Sequence, residues 1–183
     1  MPLLMLKDLP QYECLLKAAE RYPSLEPTAC DAFLNLLRTG DAVFAAESEF
    51  LASRGLSHGR FTVMMLLNRG CGQPSTPAEL AEKAGVTRAT MTGLIDTLEK
   101  DGWVARSSDP RDRRTVLVQF TERGQTVLDA ILPDYFRAVS AMMQPLSDRE
   151  RVQLVGLLQK VRASAEQVET IKTSEAEYEK LPA

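Results

Sequence analysis

Three arginines, Arg111, Arg113 and Arg114, fall within four positions of the run SSDPRDRRTVLVQFT, residues 107–121. Guanidinium groups at that density suit phosphate and nucleic-acid recognition, because each is permanently charged and presents a planar fork of donors. The protein around them is acidic: 22 basic and 25 acidic residues give a formal net charge of -3. The segment from Lys83 to Arg123 runs the other way. Its eight basic residues against six acidic give +2, which leaves -5 for the remainder. A locally basic module on an acidic body directs attraction to one surface. A solvated loop is the plain alternative, and position in the fold decides between the two.

Other chemistry is thinly represented. One histidine, His58, and three widely spaced cysteines, Cys14, Cys30 and Cys71, write no four-ligand zinc pattern. The sequence holds no nucleophile–base set and no phosphate-cradling glycine loop, so no enzyme, metal or cofactor is expected. No apolar run approaches the ~18 residues of a membrane span. The N-terminus, MPLLMLKDLPQYE, lacks the basic lead and small-residue cleavage site of a signal or transit peptide. Reduced thiols and a cytoplasmic location are the expectation.

The elements that must position the arginines can be read from periodicity and caps. Tyr12, Leu15, Leu16, Ala19 and Tyr22 lie at helical spacing before Pro23. Thr28, with Asp31 three residues on, predicts the start of a long helix reaching about Arg54 and ending at Gly55. That helix carries two apolar stripes, Phe33–Leu37–Phe44–Leu51 and Leu36–Val43–Phe50. A surface helix needs only one, so the second predicts a partner chain.

A short helix follows in SHGRFTVMMLLNRG, with Phe61, Met64, Met65 and Leu67 inward. Thr76-Pro77-Ala78-Glu79 then combines an N-cap, a first-position proline and a capping-box glutamate. Gly85 ends that helix, and Thr87 caps the next, which reaches about Lys100 with Met91, Leu94, Ile95 and Leu98 on one face. Residues 103–107 and 115–120 read as strands, with Val116, Val118 and Phe120 sharing a face and Asp109-Pro110 starting a type I turn. Trp103 reads as a strand-core residue. Thr121 caps a long helix in which Pro133 predicts a kink, and Ser147–Glu150 opens a last one carrying Leu154, Leu158, Val161, Ala165 and Val168.

Short helix, tight turn, longer helix and a hairpin with a basic tip is the order of a winged helix-turn-helix, whose second helix reads DNA. Its outward face starts with Arg88, Ala89, Thr92 and Gly93, small or hydrogen-bonding groups that let a helix approach base edges. Asp96 and Glu99 further along would repel phosphates. The helix start at Thr76 is expected to offer free amides to a phosphate. Asp109 and Asp112 are expected to pair with the neighbouring arginines and hold the loop's shape. The candidate DNA contacts are Ser75, Thr76, Thr87, Arg88, Ala89, Thr90, Thr92, Arg111, Asp112, Arg113 and Arg114.

The run VTRATMTGLIDTLEKDGWVARSSDPRDRRTVLVQFTERG resembles the MarR family of bacterial transcription regulators. The recognition helix, the wing with Asp112-Arg113-Arg114 and the Phe120-Thr121-x-x-Gly124 exit carry the likeness, which extends over residues 28–168 and is most specific across 76–124. It implies a mainly α (α+β) fold with a winged module at 56–121 embedded in a helical dimerisation region, 28–55 and 122–169. Residues 1–27 would be a helical extension within the dimer interface and 170–183 a polar tail.

The resemblance further implies a homodimeric repressor released from a pseudo-palindromic DNA operator by a small, often phenolic or aromatic, ligand. By the same resemblance Arg114 enters a minor groove and Asp112 orients it. Arg38, Asp41, His58, Arg60 and Met64 fall near the family's cleft and are candidate ligand contacts, although Met64 also reads as core filling and His58 as structural. Thr97 stands where many members have arginine, and Gly59-Arg60 replaces a glutamine-containing helix start. Some members sense peroxide through a cysteine near the start of the first dimer helix. Cys30 is the redox candidate on that ground, against a buried, inert thiol. A winged module that binds protein and no DNA is the remaining alternative.

Overall fold

The computed structural model describes residues 2–4, 6, 8–70 and 73–167. Cys71, Gly72, Val168 and the tail 170–183 lie outside them. In chain order the elements are α1 (Tyr12–Arg21), α2 (Pro27–Ala52), α3 (His58–Arg69), α4 (Pro77–Ala84), α5 (Arg88–Lys100), β1 (Val104–Ser108), β2 (Val116–Phe120), α6 (Glu122–Met143) and α7 (Asp148–Gln167). They fall into two compact units that divide inside α6, Met1–Ile131 and Leu132–Ala183.

In the first unit α3, α4 and α5 pack on one another, with β1 against α5 and β2 against α4. Their inward side chains, among them Met64, Leu67, Leu80, Met91, Ile95 and Val118, are fully buried. Each such burial stabilises by about 1.5–3 kcal/mol, which makes this cluster the main support of the module. Met65 and Leu94, expected inside, are half-buried, and Val63 takes an inner place instead. Leu94 packs where Gly59 leaves room: a Cβ on Gly59 would lie 3.0 Å from Leu94 Cδ2.

Helix α2 begins one residue before its expected cap. Pro27 occupies the first helical position and Glu26 the N-cap, with no side-chain cap bond, so Thr28 sits inside the first turn. Proline's fixed φ and missing N–H suit that first position, which moves the cap back. At the other end Leu51 is fully buried, while Phe33, Val43 and Phe44 are exposed. Both apolar stripes therefore leave large side chains in solvent on a single chain. Helix α1 packs on α2 and buries Leu15, with Tyr12, Leu16 and Tyr22 outside.

The second unit holds the rest of α6, helical on both sides of Pro133, and α7. The expected capping box opens α7: Ser147 N–H donates to Glu150 Oε2 at 2.8 Å and Glu150 N–H to Ser147 Oγ at 3.4 Å. Among the described residues of α7 none is buried, and Val152, Leu154, Val155, Leu158 and Val161 stand exposed.

Candidate nucleic-acid interface

The turn between α4 and α5 is built by caps. Thr76 N–H donates to Glu79 Oε2 at 2.8 Å, and Glu79 N–H donates to Thr76 Oγ1 at 3.2 Å. Gly85 takes the left-handed conformation at φ +66°, which glycine reaches without a Cβ clash. Thr87 Oγ1 then accepts from Thr90 N–H at 3.1 Å and lies 2.9 Å from Thr90 Oγ1. With Met91, Ile95 and Leu98 fully buried, Arg88, Ala89, Thr90, Thr92 and Gly93 are all exposed. Thr92 turns its hydroxyl hydrogen back to Arg88 O at 2.9 Å, leaving the oxygen outward for a donor.

At the start of α4 the capping box occupies the amides of Thr76 and Glu79 and Pro77 has none, so the amide of Ala78 is the one outside the box among those of residues 76–79. The hydrogen bonds from Thr76, backbone first, also hold the Glu79 carboxyl below its ordinary pKa, so a negative charge sits at this helix end. Ser75 is buried, and its backbone bridges β2: its N–H donates to Val118 O at 3.0 Å and its O accepts from Val118 N–H at 2.9 Å. Both residues thus serve the module's frame.

In the wing, β1 and β2 pair antiparallel, from Val104 opposite Phe120 to Ser108 opposite Val116. Val118 is buried, Phe120 half-buried and Val116 exposed, so the expected apolar face is covered only towards its base. The hydrogen-bonded turn spans Asp112–Thr115, with Thr115 N–H donating to Asp112 O at 2.9 Å, and does not start at Asp109-Pro110. Asp109 N–H donates to Thr115 O at 2.9 Å and closes the longer loop around it.

The two aspartates shape that loop, though by a different route from the expected ion pairs. Arg111 N–H donates to Asp109 Oδ1 at 2.8 Å, and Arg114 N–H to Asp112 Oδ1 at 3.0 Å. Short aspartates satisfy nearby backbone amides in this way, two residues on. Arg111, Asp112, Arg113 and Arg114 are all exposed, and the three guanidinium groups have no carboxylate partner among the described residues.

Asp96 and Glu99 are not free charges. Arg106, on β1, places Nη2 2.6 Å from Asp96 Oδ1 and pairs Nη1 with Glu99 Oε2. Partial burial works against its charged form, but the hydrogen bonds to Asp96 and Glu99 outweigh it and raise its pKa above the ordinary arginine value. The sequence did not reveal this link, because only the packing of β1 on α5 brings residues 96, 99 and 106 together.

The wing's exit motif has a steric cause. Thr121 Oγ1 donates to Gly102 O at 2.7 Å and accepts from Gly124 N–H at 3.0 Å, which caps α6. A Cβ on Gly124 would lie 1.8 Å from Trp103 O.

The candidate ligand residues are scattered over structural roles. Asp41 accepts from Leu3 N–H at 2.6 Å and Leu4 N–H at 2.9 Å, and Arg38 donates to Leu6 O, so both fasten the N-terminal segment to α2. Arg60 pairs with Asp101 and lies over the Trp103 ring, 4.6 Å from its centroid. Met64 is core. His58 is the exposed member, with Nδ1 3.3 Å from Glu47 Oε2 and its ring 5.2 Å from that of Phe44. The sequence does not link Glu47 or Phe44 to His58, because those contacts depend on how α2 meets α3. Cys30 is half-buried rather than buried, and its N–H is already used by Glu26 O at 2.9 Å.

A capped short helix, a tight turn, an exposed second helix and a hairpin with a basic tip define a winged helix-turn-helix DNA-binding module. A model of the MarR family matches residues 56–116. The HTH-type transcriptional repressor YetL of Bacillus subtilis (strain 168) is 35% identical over 153 residues, spanning 84% of this chain and 92% of that protein. Among solved structures, CouR from Rhodococcus jostii RHA1 bound to p-coumaroyl-CoA is similar at 25% identity and a TM-score of 0.61, over 78% of this chain and 96% of that one. Bordetella bronchiseptica BpsR, whose DNA binding is regulated by 6-hydroxynicotinic acid, is similar at 26% and 0.61, over 69% and 89%. The chain belongs to the MarR family and is a transcriptional regulator of the repressor-like, DNA-binding kind.

Proposed function

We propose that the protein is a homodimeric repressor that binds a pseudo-palindromic operator and is released by a small aromatic ligand. The observation that carries this reading is the exposed stripe of α5 beside a wing tip with three exposed arginines, two of them, Arg111 and Arg114, held through their backbone amides, and none with a carboxylate partner among the described residues. Arg88, Ala89, Thr90 and Thr92 would meet base edges and phosphates in the major groove, with Thr87 fixing the helix start. Arg111, Arg113 and Arg114 would enter the flanking minor groove, where negative potential is concentrated. Ser75 and Thr76 would support this surface from behind, and Asp112 would shape the tip.

The dimer is supported by large apolar side chains in solvent on α2 and α7, such as Phe33, Phe44, Val155 and Leu158. Contiguous exposed apolar faces usually mark interaction sites. Residues 28–55 and 122–169 would form that interface, with 1–27 adding to it, and each chain would contribute one module from 56–121. The aromatic effector is supported by CouR and BpsR, whose ligands carry an aromatic ring. His58, with Phe44 beside it, is the position we favour for a ligand contact; Arg38, Asp41 and Arg60 would have to exchange their present partners. An effector relieves repression if it prefers the geometry that does not fit DNA.

The test is a titration of DNA from upstream of the gene against a scrambled duplex, with p-coumarate and 6-hydroxynicotinate added to the preformed complex. Preference for the upstream duplex, a mass of two chains and release by an aromatic acid support the proposal. Equal affinity for both duplexes overturns it.

A further inference from the structure

The outward face of α5 turns acidic along its length. Ala89, Thr92, Asp96 and Glu99 succeed one another at helical spacing, so the carboxylates continue the stripe that begins with base-reading groups. Free carboxylates in that place would repel the phosphates flanking an occupied groove. Arg106 engages both, with Nη2 2.6 Å from Asp96 Oδ1 and Nη1 paired with Glu99 Oε2.

A third bond fixes the arrangement: Arg106 N–H donates to Glu99 Oε1 at 3.0 Å. That amide is available because of the sheet register. Arg106 faces Val118, and Val118 directs both its backbone groups away from β1, to Ser75. In an antiparallel pair such a position exchanges no ladder bonds, so the Arg106 amide points outward from the sheet. The Glu99 carboxylate covers it there, and no further strand does among the described residues.

We propose that Arg106 is an internal counter-ion that makes the acidic half of the recognition helix compatible with DNA, and that it sets operator affinity without touching DNA. Its side chain is only 26% exposed and both terminal nitrogens face carboxylates, so its charge is directed to Asp96 and Glu99. Arg106 is therefore a positioning residue. The inference rests on the reading that α5 and the wing tip face DNA.

The test compares upstream-DNA binding of the full chain with R106M, D96N/E99Q, the triple variant R106M/D96N/E99Q and the wing-tip variant R111A/R113A/R114A, across a salt series. R106M is expected to bind on the order of tenfold more weakly, the scale of an uncompensated like-charge contact. The defect should shrink as salt screens the repulsion. The triple variant should recover most of the loss, which a merely structural role of Arg106 would not allow.

D96N/E99Q should bind more tightly than the wild type, because the freed arginine then adds positive charge. It decides the matter by itself if R106M does not fold by circular dichroism. Wild-type affinity in R106M, a triple variant no better than R106M, or D96N/E99Q binding no tighter than the wild type overturns the inference. If instead the wing-tip variant binds as well as the wild type, the DNA-facing reading fails and the inference falls with it. Loss in the wing-tip variant with none in R106M refutes the role of Arg106 alone.

Discussion

Asp112 holds the tip of the wing through the backbone of Arg114: its Oδ1 accepts from the Arg114 amide at 3.0 Å, and its Oδ2 from the Thr115 hydroxyl at 3.3 Å. The Arg114 guanidinium stays exposed and unpaired, so the aspartate's work is to accept hydrogen bonds. An asparagine oxygen can accept the same bond. Asp112→Asn is expected to keep operator affinity, and Asp112→Ala to lose about 1 kcal/mol, roughly fivefold, by loosening the loop. Equal losses in both variants would show that the charge itself is needed.

Gly93 makes a prediction of opposite signs. It lies mid-helix on the exposed face of α5, and a Cβ there would meet no atom within 4 Å. Glycine in a helix interior is less stable than alanine by roughly 0.5–1 kcal/mol. Packing within the chain gives no reason for it, whereas close approach to DNA does. Gly93→Ala should raise the thermal stability by about that amount while weakening operator binding. A variant that is more stable and equally tight would contradict the proposed docking face.

Gly124 is required by packing. With Trp103 O 1.8 Å from a built Cβ, Gly124→Ala must displace the chain between α5 and β1 or the start of α6. The expected cost is about 3 kcal/mol or more, at the upper end for overpacking, read as a fall in the unfolding midpoint. An unchanged midpoint would rule out the close approach.

The N-terminal clasp should respond to acid. The Asp41 carboxyl is held below its ordinary value of 3.8, first by the Leu3 amide, with the Leu4 amide and Arg38 adding to it against partial desolvation. A carboxylate with a depressed folded-state pKa contributes stability above its unfolded value and loses it as pH falls through the folded one. The Leu3 and Leu4 contacts should therefore persist at neutral pH and open only below about 3.8. Hydrogen exchange at those two amides checks this. Asp41→Ala should unprotect them at neutral pH, and protection that survives the substitution would contradict the clasp.

Local signals were legible in the sequence where one residue type has one structural use. The Thr76–Glu79 box, the Thr87 cap, Gly85 and the Ser147–Glu150 box all act within four residues, and each lies where its pattern placed it. The place of the wing's turn is not legible in the sequence because Asp109 and Asp112 carry the same chemistry, and only the strand register selects Asp112–Thr115. Residues far apart in sequence were illegible for the same reason: Arg106 with Asp96 and Glu99, Asp41 with Leu3, and His58 with Glu47 meet only after the elements have packed. The partners that Arg38, Asp41, His58 and Arg60 have in the folded chain were not legible in the sequence on that account.

The central claim is that three unpaired arginines at the wing tip and the start of α5 bind DNA, and the salt dependence of binding to the upstream duplex tests it most directly. Each phosphate neutralised contributes about 0.9 to the negative log–log slope, so R111A/R113A/R114A, which takes three arginines from each chain of the dimer, should flatten it by up to roughly 5 relative to the wild type. A wild-type slope near zero, or the same slope for both proteins, would contradict the account.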